Sequence, residues 1–131
     1  MDCRLLFVYG TLRREFAQHK VLRRLHALYA GEATVQALLL DLGYFPGALP
    51  SKDSRKRVVG ELYRLPNPTR AFLVLDHFEG YRPEGPASGL FLRAVTTARR
   101  ANGDTVQAWI YWLKRRPARA RLIPSRDYAR E

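Results

Sequence analysis

The sequence has few of the residues and segments that build disulfides, metal sites or membrane spans. Cys3 is the only cysteine among 131 residues, which excludes an intrachain disulfide and a cysteine-based zinc site. The longest apolar run, residues 35–42, is interrupted by Gln36 and Asp41 and falls short of the about 20 residues that a transmembrane helix needs. No small-residue cleavage site follows the first apolar run, which argues against a signal peptide. These absences predict a soluble protein of a reducing cytoplasm.

Acidic residues are also scarce, with 12 Asp and Glu against 23 Lys and Arg and a formal net charge of +11. A balance of this kind favours nucleic acid or other acidic partners. The basic residues are, however, spread in short groups along the whole chain, without an RNA-binding aromatic signature, a zinc finger or a helix-turn-helix pattern. We interpret them as a solvated surface, and nucleic-acid binding through residues 114–121 remains an alternative.

Signatures of cofactor chemistry are missing as well. The three histidines, His19, His26 and His77, are far apart and form no metal-ligand pair. No P-loop, dinucleotide fingerprint or serine-hydrolase elbow occurs. These absences argue against a histidine metal site and against the known nucleotide-binding and serine-hydrolase motifs.

What the chain does contain is enough apolar sequence, 47% of its residues, for the core of a single domain over residues 1–131. Helical spacing of apolar residues predicts an amphipathic helix over residues 18–29 that Gly31 closes. Asn67 and Pro68 predict the start of a second helix that ends at Gly80. Apolar, β-prone runs predict strands at residues 5–9, 33–42, 58–65, 90–97 and 105–113.

The segments between these elements are predicted to be loops, at residues 43–47 and 81–88, and a hairpin turn at Asn102-Gly103. The chain from about residue 114 is predicted to be an irregular basic tail. Two helices and about five strands indicate an α+β fold with a curled, mostly antiparallel sheet, because a doubly wound parallel sheet needs more crossover helices.

The turn after the first strand, Tyr9-Gly10-Thr11-Leu12-Arg13, is the first candidate site. Glycine permits a tight turn in which successive backbone N–H groups point at one anion. A substrate carboxylate suits such donors. From the spacing alone, an ordinary strand-to-loop turn remains an alternative.

Glu79, in the segment Leu75-Asp76-His77-Phe78-Glu79-Gly80-Tyr81, is the second candidate. It falls in the last turn of the second predicted helix, where the helix dipole disfavours a carboxylate. Aromatic neighbours could remove water from it and raise its pKa, which suits proton transfer near neutral pH. An exposed Glu in an unfavourable position is the alternative, and Asp76 is assigned a structural role.

Taken together, these segments resemble the gamma-glutamylcyclotransferase-like family, including its gamma-glutamylamine cyclotransferase branch. The resemblance spans nearly the whole chain and keeps the order of the motifs. Its segments are Phe7-Val8-Tyr9-Gly10-Thr11-Leu12-Arg13, Tyr44-Phe45-Pro46-Gly47, Gly60-Glu61-Leu62-Tyr63, Leu75-Asp76-His77-Phe78-Glu79-Gly80-Tyr81, Phe91-Leu92-Arg93-Ala94-Val95 and Ala108-Trp109-Ile110-Tyr111.

The resemblance implies a small, mixed, mostly antiparallel β-barrel with two flanking helices and no cofactor. It implies that Glu79 is catalytic and that the substrate-binding residues are Tyr9, Gly10, Thr11, Leu12, Arg13, Pro46 and Tyr111. For Tyr111, simple core packing remains an alternative. The implied substrate is a small gamma-glutamyl compound, whose cyclisation releases 5-oxoproline and an amine or amino acid. A non-catalytic protein that binds a small carboxylate metabolite is the alternative function.

Two positions depart from the family pattern. Phe91 stands where many relatives have tyrosine, and the segment Ser125-Arg126-Asp127-Tyr128 replaces a more usual Ser-Gly-Asp-Trp-like sequence. The sequence leaves the gamma-glutamyl substrate, its leaving group and the oligomeric state open.

Overall fold

The computed structural model describes residues 3–81 and 89–130. Strands dominate this part of the chain, and the helices are few and short. The strands are β1 (Leu5–Val8), β2 (Leu28–Asp41), β3 (Pro46–Pro50), β4 (Arg57–Arg64), β5 (Phe91–Arg100), β6 (Thr105–Leu113) and β7 (Arg121–Leu122). The helices are α1 (Lys20–Arg24) and α2 (Pro68–Glu79), with single 3-10 turns at Ala17–His19 and Tyr128–Arg130.

Five of the strands close into a small mixed barrel in the order β2-β4-β1-β6-β5. The barrel closes where β5 returns to β2, with Ala33 opposite Arg100 and Val35 opposite Ala98. The pair β1–β6 is parallel, and the other described pairs are antiparallel. The predicted α+β fold, a mostly antiparallel barrel with two flanking helices, is confirmed.

The alternation of side chains along the strands creates two apolar layers. Along β1, Phe7 points into the barrel core with Val35 and Ile110. Its neighbours Leu6 and Val8 point outward and pack with Leu75 of α2. Burying a side chain such as Leu75, which is fully buried, contributes about 1.5–3 kcal/mol, so this outer layer holds α2 firmly against β1.

Helix α2 begins and ends as its sequence predicts. The Asn67 side chain accepts a hydrogen bond from the Arg70 N–H at 3.2 Å, and Pro68 occupies the first helical position. Gly80 ends the helix with a left-handed φ of 72°. Glu79 is therefore the last helical residue, directly beside the chain reversal.

The predicted helix over residues 18–29 is wrong in length. Helix α1 ends at Arg24, and His26 adopts a left-handed φ of 57°. Leu28 and Tyr29 instead begin β2 and pair with Arg64 and Tyr63 of β4. Strand pairing along the barrel outcompetes the local helical spacing, and Gly31, predicted to close the helix, lies within β2 at an irregularity in its register.

Two segments predicted to be irregular also contain strands. Residues 46–50, at the end of the predicted 43–47 loop, form β3 along the outer half of β2. In the predicted irregular tail, β7 pairs with the same half of β2. The predicted loop at residues 81–88 falls, apart from Tyr81, outside the described residues.

Within the described ranges, no helix has the length and apolar character to span a membrane.

Candidate active site

A cavity of about 550 Å³ opens at one end of the barrel. Four segments meet there: the turn after β1, the start of β3, the end of α2 and the start of β5. Its described walls include Tyr9, Gly10, Thr11, Leu12, Phe45, Pro46, Phe78, Glu79, Phe91 and Tyr111. Most of these side chains are apolar or aromatic, with a few polar groups among them, as is usual for small-molecule sites.

Among the described residues of this wall, Glu79 is the only Asp, Glu, Lys or Arg residue. Its exposure is intermediate, and no described residue forms a hydrogen bond or an ion pair with its carboxylate. Burial beside the apolar wall raises the pKa of Glu79 from 4.5 to about 7. At neutral pH this carboxyl group can therefore accept a proton and return it.

The turn after β1 contributes backbone donors to the same cavity. The Arg13 N–H donates to the Gly10 carbonyl at 3.0 Å and closes the turn. The Arg14 N–H donates to Glu61 Oε1, also at 3.0 Å. Within the described chain, the N–H groups of Thr11 and Leu12 bond to no other protein group, although both residues line the cavity. Such unpaired N–H groups suit the carboxylate of a ligand.

Glycine is required at position 10 because Pro46 packs against it. A Cβ atom placed on Gly10 would lie 2.8 Å from Pro46 Cγ and 3.0 Å from Pro46 Cδ, which is closer than van der Waals contact allows. The absent side chain thus lets the turn approach the start of β3. Pro46 itself is buried and lines the cavity.

Tyr9 forms part of the wall with its ring, while its hydroxyl joins strands. The hydroxyl donates to the Tyr111 carbonyl at 2.7 Å and accepts from the Ala48 N–H at 3.1 Å. Burial raises the pKa of Tyr9, and the nearby charge of Glu79 raises it further. The hydroxyl is therefore a neutral structural link between β6 and β3.

Tyr111 and Asp76 form a buried hydrogen-bond network, and Asp76 precedes Glu79 by one turn of α2. The Tyr111 hydroxyl donates to Asp76 Oδ1 at 2.6 Å, and burial with Asp76 nearby raises the pKa of Tyr111. Arg93 donates to both Asp76 oxygens, at 2.9 and 3.2 Å, and its guanidinium lies 4.0 Å from the Phe72 ring centroid. The structural role predicted for Asp76 is confirmed, because these contacts fix α2 to β5 and β6 next to Glu79.

Arg13 is the one predicted site residue that is not part of the described cavity wall. Its side chain is 2% exposed, and it donates to Asp127 Oδ1 at 2.7 Å and to Glu15 Oε2 at 3.2 Å. The Arg13 side chain therefore contacts the tail of the chain through Asp127. Its ion pairs with Asp127 and Glu15 hold the turn in place.

Several wall residues were not predicted from the sequence as site residues. Phe45 and Phe91, with ring centroids 6.0 Å apart, face each other across the start of β3 and β5. Phe78 is 37% exposed and lines the cavity, although Phe72 and Leu75 of the same helix are buried. Its position one turn after Leu75, at the very end of the helix, is the only sequence signal that distinguishes it.

Metal ligands do not cluster in the described residues: no group of three His, Cys, Asp or Glu side chains lies together. Cys3 donates weakly to the Gln107 carbonyl at 3.4 Å, away from the cavity wall.

Comparison with solved structures finds proteins of the same fold. A mouse AIG2-like protein is 25% identical, with a TM-score of 0.71 over 90% of this chain and 82% of its own. YkqA from Bacillus subtilis is 22% identical with a TM-score of 0.73; the match covers 98% of this chain but only 40% of YkqA. An uncharacterised protein from Pyrococcus horikoshii is 21% identical with a TM-score of 0.66, over 96% of this chain and 90% of its own.

A comparison with curated proteins finds no match. A protein-family model does match, over residues 6–130, and thus covers the elements described above except the first residue of β1. The chain belongs to the family described as gamma-glutamyl cyclotransferase, AIG2-like.

Proposed function

We propose that the protein is a gamma-glutamyl cyclotransferase in which Glu79 is the general acid and base and the turn at residues 10–12 binds the substrate. The proposal rests on one observation. Glu79 and the unpaired Thr11 and Leu12 amides belong to the wall of one cavity. These groups are nearly 70 residues apart in sequence. Membership of the family supports the same chemistry.

The substrate has a free α-amino group, an α-carboxylate and an amide at its γ-carbon. In the proposed complex the Thr11 and Leu12 amides hold the amino-acid end, folded back so that the α-amine lies next to the γ-carbonyl. Glu79 accepts a proton as the α-nitrogen forms a bond to the γ-carbon. The bond from the γ-carbon to the leaving nitrogen then breaks, and Glu79 returns the proton to that nitrogen. The products are 5-oxoproline and an amine or amino acid, and no water is consumed.

The ring closure is intramolecular, so correct positioning of the folded substrate removes a large part of the barrier. The nucleophile belongs to the substrate, and the protein therefore needs only a proton carrier and a shaped cavity. A pKa of about 7 for Glu79 suits both directions of proton transfer at neutral pH. Tyr9, Pro46 and Tyr111 would shape the cavity, and Arg13 would hold the turn. We place this activity in the cytoplasm and expect it to use neither metal nor cofactor.

The test is release of 5-oxoproline from gamma-glutamyl amines and gamma-glutamyl amino acids. Glu79→Gln keeps the size of the side chain but removes the proton acceptor, so we expect kcat to fall at least about 100-fold. Glu32→Gln is the matched control, because Glu32 is an exposed residue of β2 outside the cavity wall. Circular dichroism and thermal unfolding check that both variants fold.

Turnover by Glu79→Gln at the wild-type rate would reject the role of Glu79. Failure of the wild-type protein to release 5-oxoproline from any of these substrates would reject the function. If the substrates then raised the melting temperature with concentration, without turnover, the protein would instead be a metabolite-binding protein.

A further inference from the structure

Glu61 is a buried carboxylate that the proposed mechanism does not use. It belongs to β4, is 1% exposed, and lies opposite Val8 of β1, two residues before Gly10. It is not part of the described cavity wall. Burying a carboxylate is unfavourable unless other groups bind it. The groups that bind Glu61 therefore indicate its role.

Arg14 and Tyr63 provide donors to the Glu61 carboxylate. The Arg14 N–H and the Tyr63 hydroxyl donate to Oε1, at 3.0 and 2.9 Å. Arg14 Nε lies 3.1 Å from Oε2, in an ion pair without the geometry of a hydrogen bond. Burial raises the pKa of Tyr63, and its hydrogen bond to Glu61 raises it further, so the hydroxyl stays a neutral donor. Glu61 thus joins a strand of the barrel to the residue that directly follows the turn.

The peptide groups at the end of the turn are held by other groups. The Leu12 carbonyl accepts a hydrogen bond from His19 Nδ1 at 2.9 Å. The Arg13 N–H donates inside the turn, and the Arg14 N–H donates to Glu61. Because a peptide group is planar, these bonds restrict the rotations that would turn the preceding amides away from the cavity. Glu61 supplies the charged acceptor of this set, and hydrogen bonds to charged acceptors are the stronger ones.

We propose that Glu61 is a positioning residue for substrate binding: it holds the Arg14 N–H and thereby keeps the amides of residues 11 and 12 directed into the cavity. The inference rests on the proposed function and adds to its site a residue from outside the cavity wall. Glu61 acts through the backbone and touches neither the substrate nor Glu79. It should therefore affect binding of the amino-acid end of the substrate, while Glu79, which α2 carries, keeps its surroundings.

The test compares variants at two neighbouring positions. Glu61→Met removes the acceptor but keeps an unbranched side chain of similar length, and Glu61→Gln keeps an acceptor oxygen without the charge. Glu32→Met is the matched control, because it removes a carboxylate from the exposed residue that pairs with Glu61 on β2. Steady-state release of 5-oxoproline from gamma-glutamyl amines gives KM and kcat. Inhibition by added 5-oxoproline, whose carboxylate should occupy the same turn, gives a second measure of binding.

For Glu61→Met we expect KM and the inhibition constant of 5-oxoproline to rise about tenfold, because misplaced binding groups are costly. We expect kcat to stay within about threefold of the wild type, since a loss of binding that the ground state and the transition state share raises KM alone. The KM of Glu61→Gln should also stay within about threefold, because a neutral acceptor still holds the amide. A merely structural role of Glu61 would instead lower the folded fraction, and with it the apparent kcat, at an unchanged KM.

A double variant separates positioning from stability. Glu61→Met leaves the buried Tyr63 hydroxyl without its acceptor, which destabilises the protein. Adding Tyr63→Phe removes this hydroxyl and should recover a part of the lost melting temperature, while KM remains raised about tenfold. Backbone NMR provides a measurement without substrate. The amide resonances of Thr11 and Leu12 should shift in both Met variants and stay near their wild-type positions in Glu61→Gln.

A wild-type KM in Glu61→Met, or a fall of its apparent kcat alone, would overturn the inference and leave the cyclotransferase proposal standing. An equal rise of KM in Glu61→Gln or in Glu32→Met would overturn it as well, and so would unchanged Thr11 and Leu12 resonances in Glu61→Met. Absence of 5-oxoproline from the wild-type reaction would reject the proposed function, and the amide resonances would then still decide whether Glu61 orients the turn.

Discussion

The chemistry of the candidate site depends on the surroundings of a single carboxyl group. Glu79 is the last residue of α2, where the negative end of the helix dipole disfavours a charge. Phe78, Tyr9 and Tyr111 line the same cavity, and no described cation offsets the loss of water. The burial that results raises the pKa of Glu79 to about 7. The same side chain on an open surface would be a permanent anion at neutral pH and a poor acid.

This pKa predicts how Glu79 responds to pH. As pH falls through about 7, Glu79 takes up a proton and can no longer act as a base, so kcat/KM should fall. The substrate α-amine, with a pKa of about 8, loses its nucleophilic form over an overlapping range, so Glu79 must be observed directly. Carbon-13 NMR of labelled glutamate carboxyls, compared with Glu79→Gln, should show a resonance that titrates near pH 7. Titration of this carboxyl near its ordinary value of 4.5 would contradict the prediction.

Gly10 offers a second test at the level of one residue. Gly10→Ala would place a Cβ 2.8 Å from Pro46 Cγ, so the turn must shift. We expect a loss of about 1–3 kcal/mol in stability and at least a tenfold fall in kcat/KM, because small displacements of the binding groups are costly. The double variant with Pro46→Ala removes the clashing atoms and should recover part of both losses. Full activity of Gly10→Ala alone would show that the turn tolerates displacement.

The individual site residues were predictable to different degrees, for physical reasons. The position of Gly10 after a strand and of Glu79 before a helix-ending glycine are local patterns, and the sequence displays them. The partner of Arg13 is Asp127, 114 residues away, and no local pattern links the two. That distant carboxylate sets the direction of the Arg13 side chain. Nothing in the motif at residues 9–13 indicates it, and Arg13 was therefore predicted to bind substrate together with the rest of the turn.

At the scale of elements, local signals succeed where they agree with the barrel and fail where the barrel overrides them. Helix α2 has both its caps in the sequence. Helix α1 has no side-chain cap, and its five residues bury only Leu22. The residues that follow it gain backbone hydrogen bonds by pairing with β4. Strand β3 begins with Pro46 and ends with Pro50, residues that normally signal loops. It is tolerated as a strand because it lies at the end of the sheet order, where an unpaired edge needs no N–H donor from proline.

The tail is a structural element in spite of its loop-like composition. Asp127 is 12% exposed at its side chain and compensates the buried guanidinium of Arg13. Asp127→Ala should cost about 3 kcal/mol, because it leaves that buried charge with only the partly exposed Glu15 as an ion-pair partner among the described residues, and should raise KM by loosening the turn. The control is Glu15→Gln, whose partly exposed side chain contacts the same arginine at 3.2 Å and should cost less than about 1 kcal/mol. Urea unfolding and steady-state kinetics provide the measurements; equal effects of the two variants would refute the anchoring role.

For the whole molecule, the net charge of +11 is the property most open to misinterpretation. Described arginines take part in specific ion pairs with Asp76, Asp127 and Glu61, so a part of the positive charge is structural. We expect at most weak, nonspecific RNA binding at 50 mM salt and none measurable at 200 mM, since phosphate contacts weaken steeply with salt. Fluorescence anisotropy with a labelled single-stranded RNA gives the answer. Binding below 1 µM at 200 mM salt would restore the nucleic-acid alternative.

The position of β1 in the barrel has a consequence for biosynthesis. One of its neighbours, β4, follows about 50 residues later, but the other, β6, is translated only at residues 105–113, and the counter-charge for Arg13 only at residue 127. While the ribosome is still adding the middle of the chain, the first strand has an open edge and an apolar face without cover. The nascent polypeptide thus exposes this apolar strand until synthesis of the domain is almost complete. A chaperone would be of greatest use to it during that interval.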